Sequence, residues 1–92
     1  MTEQPRIRVL VIDDSAFSRR TIIRMLERSP LVDVAGWAVD GQEALAKALT
    51  SDYDLITLDL EMPRMDGFTF LRMLMARRPT PVIVVSGRGE SQ

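Results

Sequence analysis

Four short apolar runs punctuate the chain, and each gives way to a polar turn. Ile7–Ile12 (Ile-Arg-Val-Leu-Val-Ile) is rich in β-branched residues and stops abruptly at Asp13-Asp14-Ser15, the pattern of a parallel strand buried on both faces. Similar runs recur at Val32–Ala38, Leu55–Leu58 and Val82–Val85. Between them, apolar residues fall at helical spacing: Ile22, Met25 and Leu26; Ala44, Leu45, Ala48 and Leu49; Phe68, Leu71, Leu74 and Met75. The predicted order is β-α-β-α-β-α-β. Ser15 or Asp14 stands where a cap of the first helix belongs, and Pro30 ends that helix. Asp40-Gly41 leads into the second, and Asp66-Gly67 opens the third before Pro79 closes it. Strict alternation with short connections requires right-handed crossovers, hence an α/β, doubly wound parallel sheet with helices on both faces. Phe17, Phe68 and Met75 are expected in the core. Trp37 is read as a partly buried surface aromatic after the second strand, without a special role.

Composition narrows the chemistry. The 92 residues amount to one domain or less, and 46% apolar content suits a globular chain. There is no cysteine and no histidine, which excludes disulfides, thiol catalysis, thiolate metal sites and the commonest general base. What remains is carboxylate and hydroxyl chemistry. A net charge of −1 offers no basic footprint, so no nucleic-acid partner is expected; Arg19-Arg20 and Arg77-Arg78 read as solvated helix faces. No apolar run is long enough to span a membrane, and Met1–Arg6 lacks a signal-peptide pattern, so a cytoplasmic address without membrane attachment is expected.

In open α/β sheets, ligands bind beyond the carboxyl ends of the strands, where the strand order reverses. With the order 2-1-3-4, strands one and three are neighbours, and Asp13, Asp14 and Asp59 converge from adjacent strand ends. Three close carboxylates repel one another unless a cation shares the space. A hard, oxygen-seeking ion such as Mg2+ suits them, and the same arrangement suits phosphoryl transfer with Asp59 as the nucleophile. A lone aspartate at a strand-to-helix junction is ordinarily a helix cap, and Asp66 is read as one. Capping does not require the second acid at Asp13 or a third on the next strand. Ser86, closing strand four, either satisfies backbone groups or contacts a phosphate. Glu61 reads as a loop charge whose backbone carbonyl reaches the ion. A nucleotide-binding domain is disfavoured: Gly36 and Gly41 have the spacing of a phosphate loop, but Gln42 and Glu43 stand where Lys and Ser/Thr belong. A haloacid-type phosphatase is disfavoured too, because Asp59-Leu-Glu-Met-Pro lacks that signature's second aspartate.

At these residues the sequence resembles the response-regulator receiver family, a flavodoxin-like fold. The segments that carry the resemblance are Val9–Ser15, Asp40–Leu45, Asp54–Gly67 and Thr80–Ser86. The resemblance implies that Asp13, Asp14 and Asp59 bind Mg2+, that the Glu61 carbonyl completes the site, and that Ser86 moves to meet a phosphoryl group on Asp59. With no histidine in the chain, the phosphohistidine donor is a partner histidine kinase. Finer segments, Ile7–Ala16, Arg19-Arg20, Leu58–Gly67 and Arg78–Ile83, are similar to the receivers of chemotaxis protein-glutamate methylesterases, which implies an esterase output domain. Such receivers continue through a fourth helix, a fifth strand ending in lysine and a fifth helix. Residues 1–92 are therefore expected to be a receiver domain that is incomplete at its C-terminal end, truncated after strand four, and without esterase activity of its own. Lys47, the only lysine, falls on the second helix. An open strand-four edge implies a homodimer. The other reading is a receiver-like binding or dimerisation module that is inactive in phosphorylation.

Overall fold

The structure, a computed structural model, describes residues 5–60, 62 and 65–85. All seven expected elements are present in the expected order: β1 (Ile7–Ile12), α1 (Ala16–Glu27), β2 (Val32–Ala38), α2 (Gly41–Thr50), β3 (Leu55–Leu58), α3 (Gly67–Arg77) and β4 (Val82–Val84). The strands form one parallel sheet in the order β2-β1-β3-β4. Side-chain caps set where the helices begin. Ser15, rather than Asp14, accepts from the Ser18 amide at 3.2 Å; Asp40 accepts from Glu43 at 2.8 Å and Asp66 from Thr69 at 2.8 Å.

The main core lies on one face of the sheet. Leu10, Ile12, Ile56, Leu58 and Ala38 point there and meet Ala44, Leu45 and Ala48 of α2 and Phe70 and Leu74 of α3. Helix α1 lies against β1 and β2 and adds no side chain to that cluster. It covers the other face, onto which Val9, Val11 and Trp37 project, and none of its residues is fully buried. Among the described residues, no helix is long and apolar enough to cross a membrane.

Three core expectations are corrected. Phe17, Phe68 and Met75 are 80%, 63% and 41% exposed. Helical spacing gives a stripe but not its phase. In α3 the buried stripe is Gly67, Phe70 and Leu74; of the expected stripe Leu74 is buried and Leu71 packs against the core, while Phe68 and Met75 turn outward. Trp37 lies within β2 rather than after it. The β1–β2 register jumps from Val9↔Val34 to Leu10↔Gly36, so Ala35 is an extra residue in the edge strand. That bulge pairs Trp37 with Val11, on the face of α1. An unbroken ladder would pair it with Ile12 and turn the indole into the main core. Arg78 follows α3 as its C-cap rather than lying on the helix, and its exposed side chain pairs with Asp52.

Candidate metal and phosphoryl-transfer site

The acids stand just past the ends of two neighbouring strands. The Asp13 amide still donates to Ala38 O at 3.0 Å, and the Asp59 amide donates to Ile12 O at 3.1 Å, so the ladder holds both backbones one residue beyond β1 and β3. Asp14 follows before α1 begins. Carboxylate oxygens of Asp13, Asp14 and Asp59 all lie within 4.8 Å of one another. Asp13 is buried, Asp59 half-buried and Asp14 exposed, which makes a cup with one open wall.

Two contacts set the acid pair. The Ser15 amide donates to Asp13 Oδ1 at 2.9 Å, and the Arg19 guanidinium donates to the Asp13 backbone carbonyl at 2.9 Å. Burial pushes the Asp13 carboxyl above its usual range; the Ser15 amide opposes this, and the negative charges of Asp59 and Asp14 add to it. An all-oxygen cluster of carboxylates fits a hard divalent cation, and Mg2+ characteristically takes one or two carboxylates directly with the rest of its octahedron left to water and phosphate. Asp66 is different. Its carboxyl is held below the usual range by the Thr69 amide and hydroxyl, so it serves as a cap.

The structure thus brings Asp13, Asp14 and Asp59 together, while Glu61 and Ser86 lie outside the described residues. Arg19 is the neighbour that sequence reasoning placed wrongly. It was expected on a solvated face, yet it reaches back six residues to Asp13 and stacks on Trp37, with its guanidinium carbon 4.5 Å from the ring centroid. The signal that would have located it is the β2 bulge, and nothing in the local pattern marks it.

Self-repulsion in the cluster has a thermal consequence. Two like unit charges ~4 Å apart repel by about 1 kcal/mol in water and about 4 kcal/mol at an effective dielectric of ~20. Asp13→Asn keeps an oxygen for the Ser15 amide and removes one charge. At neutral pH without divalent ions it is expected to raise the melting temperature by about 4–8 °C for each kcal/mol relieved. Because the folded carboxyl is raised, its stabilising contribution is full below the unfolded value and is lost as pH rises through the folded one. The gap between variant and parent should therefore close as pH falls into the acid range. Mg2+ should stabilise the parent and not the variant. Calorimetric melts over a pH series, with and without Mg2+, check all three; a gap that is constant with pH would exclude Asp13 as its source.

A doubly wound sheet with an acid cluster where its strand order reverses is the architecture of a signalling receiver, and the chain belongs to the response regulator receiver domain family, matching it over residues 9–92. Among known proteins, it is 59% identical over 87 residues to protein-glutamate methylesterase/protein-glutamine glutaminase 3 of Geobacter sulfurreducens, a match covering 95% of this chain and 24% of that protein. It is 60% identical over 82 residues to protein-glutamate methylesterase/protein-glutamine glutaminase 6 of Anaeromyxobacter dehalogenans, covering 89% of this chain and 23% of that protein. The chain thus spans about a quarter of the length of these relatives. The response regulator domain of Thermotoga maritima CheB superposes with a TM-score of 0.86 at 46% identity, over 88% of this chain and 60% of that one. The receiver domain of the putative response regulator NarL from Mycobacterium tuberculosis superposes at 0.87 with 34% identity, over 95% and 71%.

Proposed function

We propose that this receiver accepts a phosphoryl group on Asp59 from a partner histidine kinase and that the phosphorylated state governs a protein-glutamate methylesterase output. The observation that carries this reading is the convergence of Asp13, Asp14 and Asp59, with carboxylate oxygens within 4.8 Å, at the carboxyl end of two adjacent strands. A carboxylate oxygen of Asp59 attacks the phosphorus in line with the leaving group. The new O–P bond forms as the P–N bond to the kinase imidazole breaks, and the imidazole keeps the electron pair and takes up a proton. Asp13, Asp14, Asp59 and the Glu61 backbone carbonyl are the proposed Mg2+ ligands. When bound, the ion supplies charge neutralisation for the transferred group. Ser86 is the proposed contact that reports the phosphoryl group to the rest of the domain. The relatives' names supply the output class.

Incubation of the chain with Mg2+ and acetyl phosphate, followed by intact mass, tests the reading. One added phosphoryl group that hydroxylamine removes, as expected of an acyl phosphate, supports it. A chain that binds beryllofluoride and Mg2+ no better than buffer is the inert binding module instead.

Self-association is the second part of the proposal. The sheet ends at β4 among the described residues, Ile83 and Val84 are 52% and 47% exposed, and Leu71, Met75, Pro79 and Val82 line an apolar groove of about 540 Å3 beside it. An open strand edge beside apolar surface invites another strand. The 92-residue chain is expected to sediment as a concentration-dependent dimer. A compact monomer at every concentration, from micromolar to the solubility limit, would reject this.

A further inference from the structure

Trp37 sits at a crossing of three elements. It lies on the edge strand β2, turned by the bulge at Ala35 onto the face of α1. Arg19 of α1 stacks on its ring at 4.5 Å, and Lys47 of α2 places its ammonium 5.2 Å from the same ring while donating to the Trp37 carbonyl. Glu43 of α2 then ion-pairs with Lys47 at 3.3 Å and accepts from the Val39 amide at 2.9 Å. The indole is 45% exposed, so hydrophobic burial alone does not account for two cations gathered on it. What it does is restrict Arg19, a side chain with several rotatable bonds, to the rotamer whose guanidinium reaches the Asp13 carbonyl.

That carbonyl belongs to the peptide joining Asp13 to Asp14. Rotation of this peptide would swing the Asp14 backbone and carry its carboxylate away from Asp13 and Asp59. Asp13 is already fixed through its carboxylate by the Ser15 amide; the Arg19 contact fixes the peptide itself. We infer that Trp37 is a positioning residue for the acid cluster: by stacking on Arg19 it holds the Asp13–Asp14 peptide in the orientation that presents both carboxylates to a divalent cation. This inference rests on the metal site proposed above.

Truncating Arg19 alone gives an ambiguous sign, because it frees the peptide and also removes a positive charge near the cation. Trp37→Ala changes no charge. A cation–π contact at a partly exposed site is worth enough that its loss is expected to weaken Mg2+ binding about threefold, with Trp37→Phe recovering part of that loss. Because Trp37 acts through Arg19, the effect of Trp37→Ala should vanish in an Arg19→Ala background. Isothermal titration of the four chains with Mg2+ reads the coupling. The carbonyl carbon resonance of Asp13, recorded without metal, reads the pin itself and should shift alike in Trp37→Ala and Arg19→Ala. Unchanged Mg2+ affinity in a folded Trp37→Ala chain, or an equal loss in both backgrounds, overturns the inference. If the parent binds no Mg2+, the metal reading fails; an unmoved Asp13 resonance in Trp37→Ala then overturns the pin independently.

Discussion

Asp59→Asn is expected to reduce phosphoryl incorporation from acetyl phosphate or a phosphorylated kinase to background. The substitution keeps the size and shape of the side chain and deletes the nucleophilic oxygen, so the fold is expected to survive while covalent chemistry stops. It also removes one of three mutually repelling carboxylates, so the metal-free variant should melt no lower than its parent. Intact mass after incubation, with circular dichroism as the control for folding, separates these outcomes. A folded Asp59→Asn chain that still gains one hydroxylamine-sensitive phosphoryl group would place the acceptor elsewhere; Asp14 is the next carboxylate in reach.

Gly67→Ala is expected to be among the most destabilising single-methyl substitutions in the chain. Gly67 is the first residue of α3, and its amide donates to Leu60 O at 3.1 Å. A Cβ there would lie 2.6 Å from the Leu60 Cα and 3.1 Å from its carbonyl oxygen. The obstacle is backbone, which has no rotamer by which to yield. Overpacking of this kind typically costs about 1–3 kcal/mol, and each kcal/mol lowers the melting temperature of a domain this size by about 4–8 °C. Gly36 provides the contrast: a Cβ there would meet the Tyr53 hydroxyl at 2.6 Å, the far end of a side chain that can swing aside. Gly36→Ala should cost much less, and paired thermal melts compare the two. Because Leu60 directly follows Asp59, Gly67→Ala should also slow phosphorylation in whatever fraction stays folded. Equal melting temperatures for the two variants would show that the start of α3 can move away from Leu60.

These two expectations differ in where their grounds lie. The aspartate was legible along the chain: an apolar run that ends on Asp13-Asp14, a second that ends on Asp59, and the rule that ligands gather at carboxyl strand ends. The close approach of Gly67 to Leu60 was not. A helix-opening Asp-Gly announces a cap, and it does not announce what the first turn of the helix presses against.

Local physics accounts for what the sequence determined by itself. β-branched runs, helical spacing and cap residues act over a few neighbouring positions, so the seven elements, the capping of α3 by Asp66, and the parallel doubly wound sheet could be read without coordinates. The acceptor candidate and its two acidic neighbours followed from strand order. Tertiary structure decided the rest. Periodicity fixes the spacing of a helical stripe and leaves its phase to the surface it packs on, which is why Phe70 is buried and Phe68 is exposed. A single extra residue at Ala35 turned Trp37 toward α1 and so gave Arg19 a ring to lie on and a route to the Asp13 carbonyl. A bulge depends on how one strand registers against another, and that pairing is a property of the assembled sheet rather than of either strand alone.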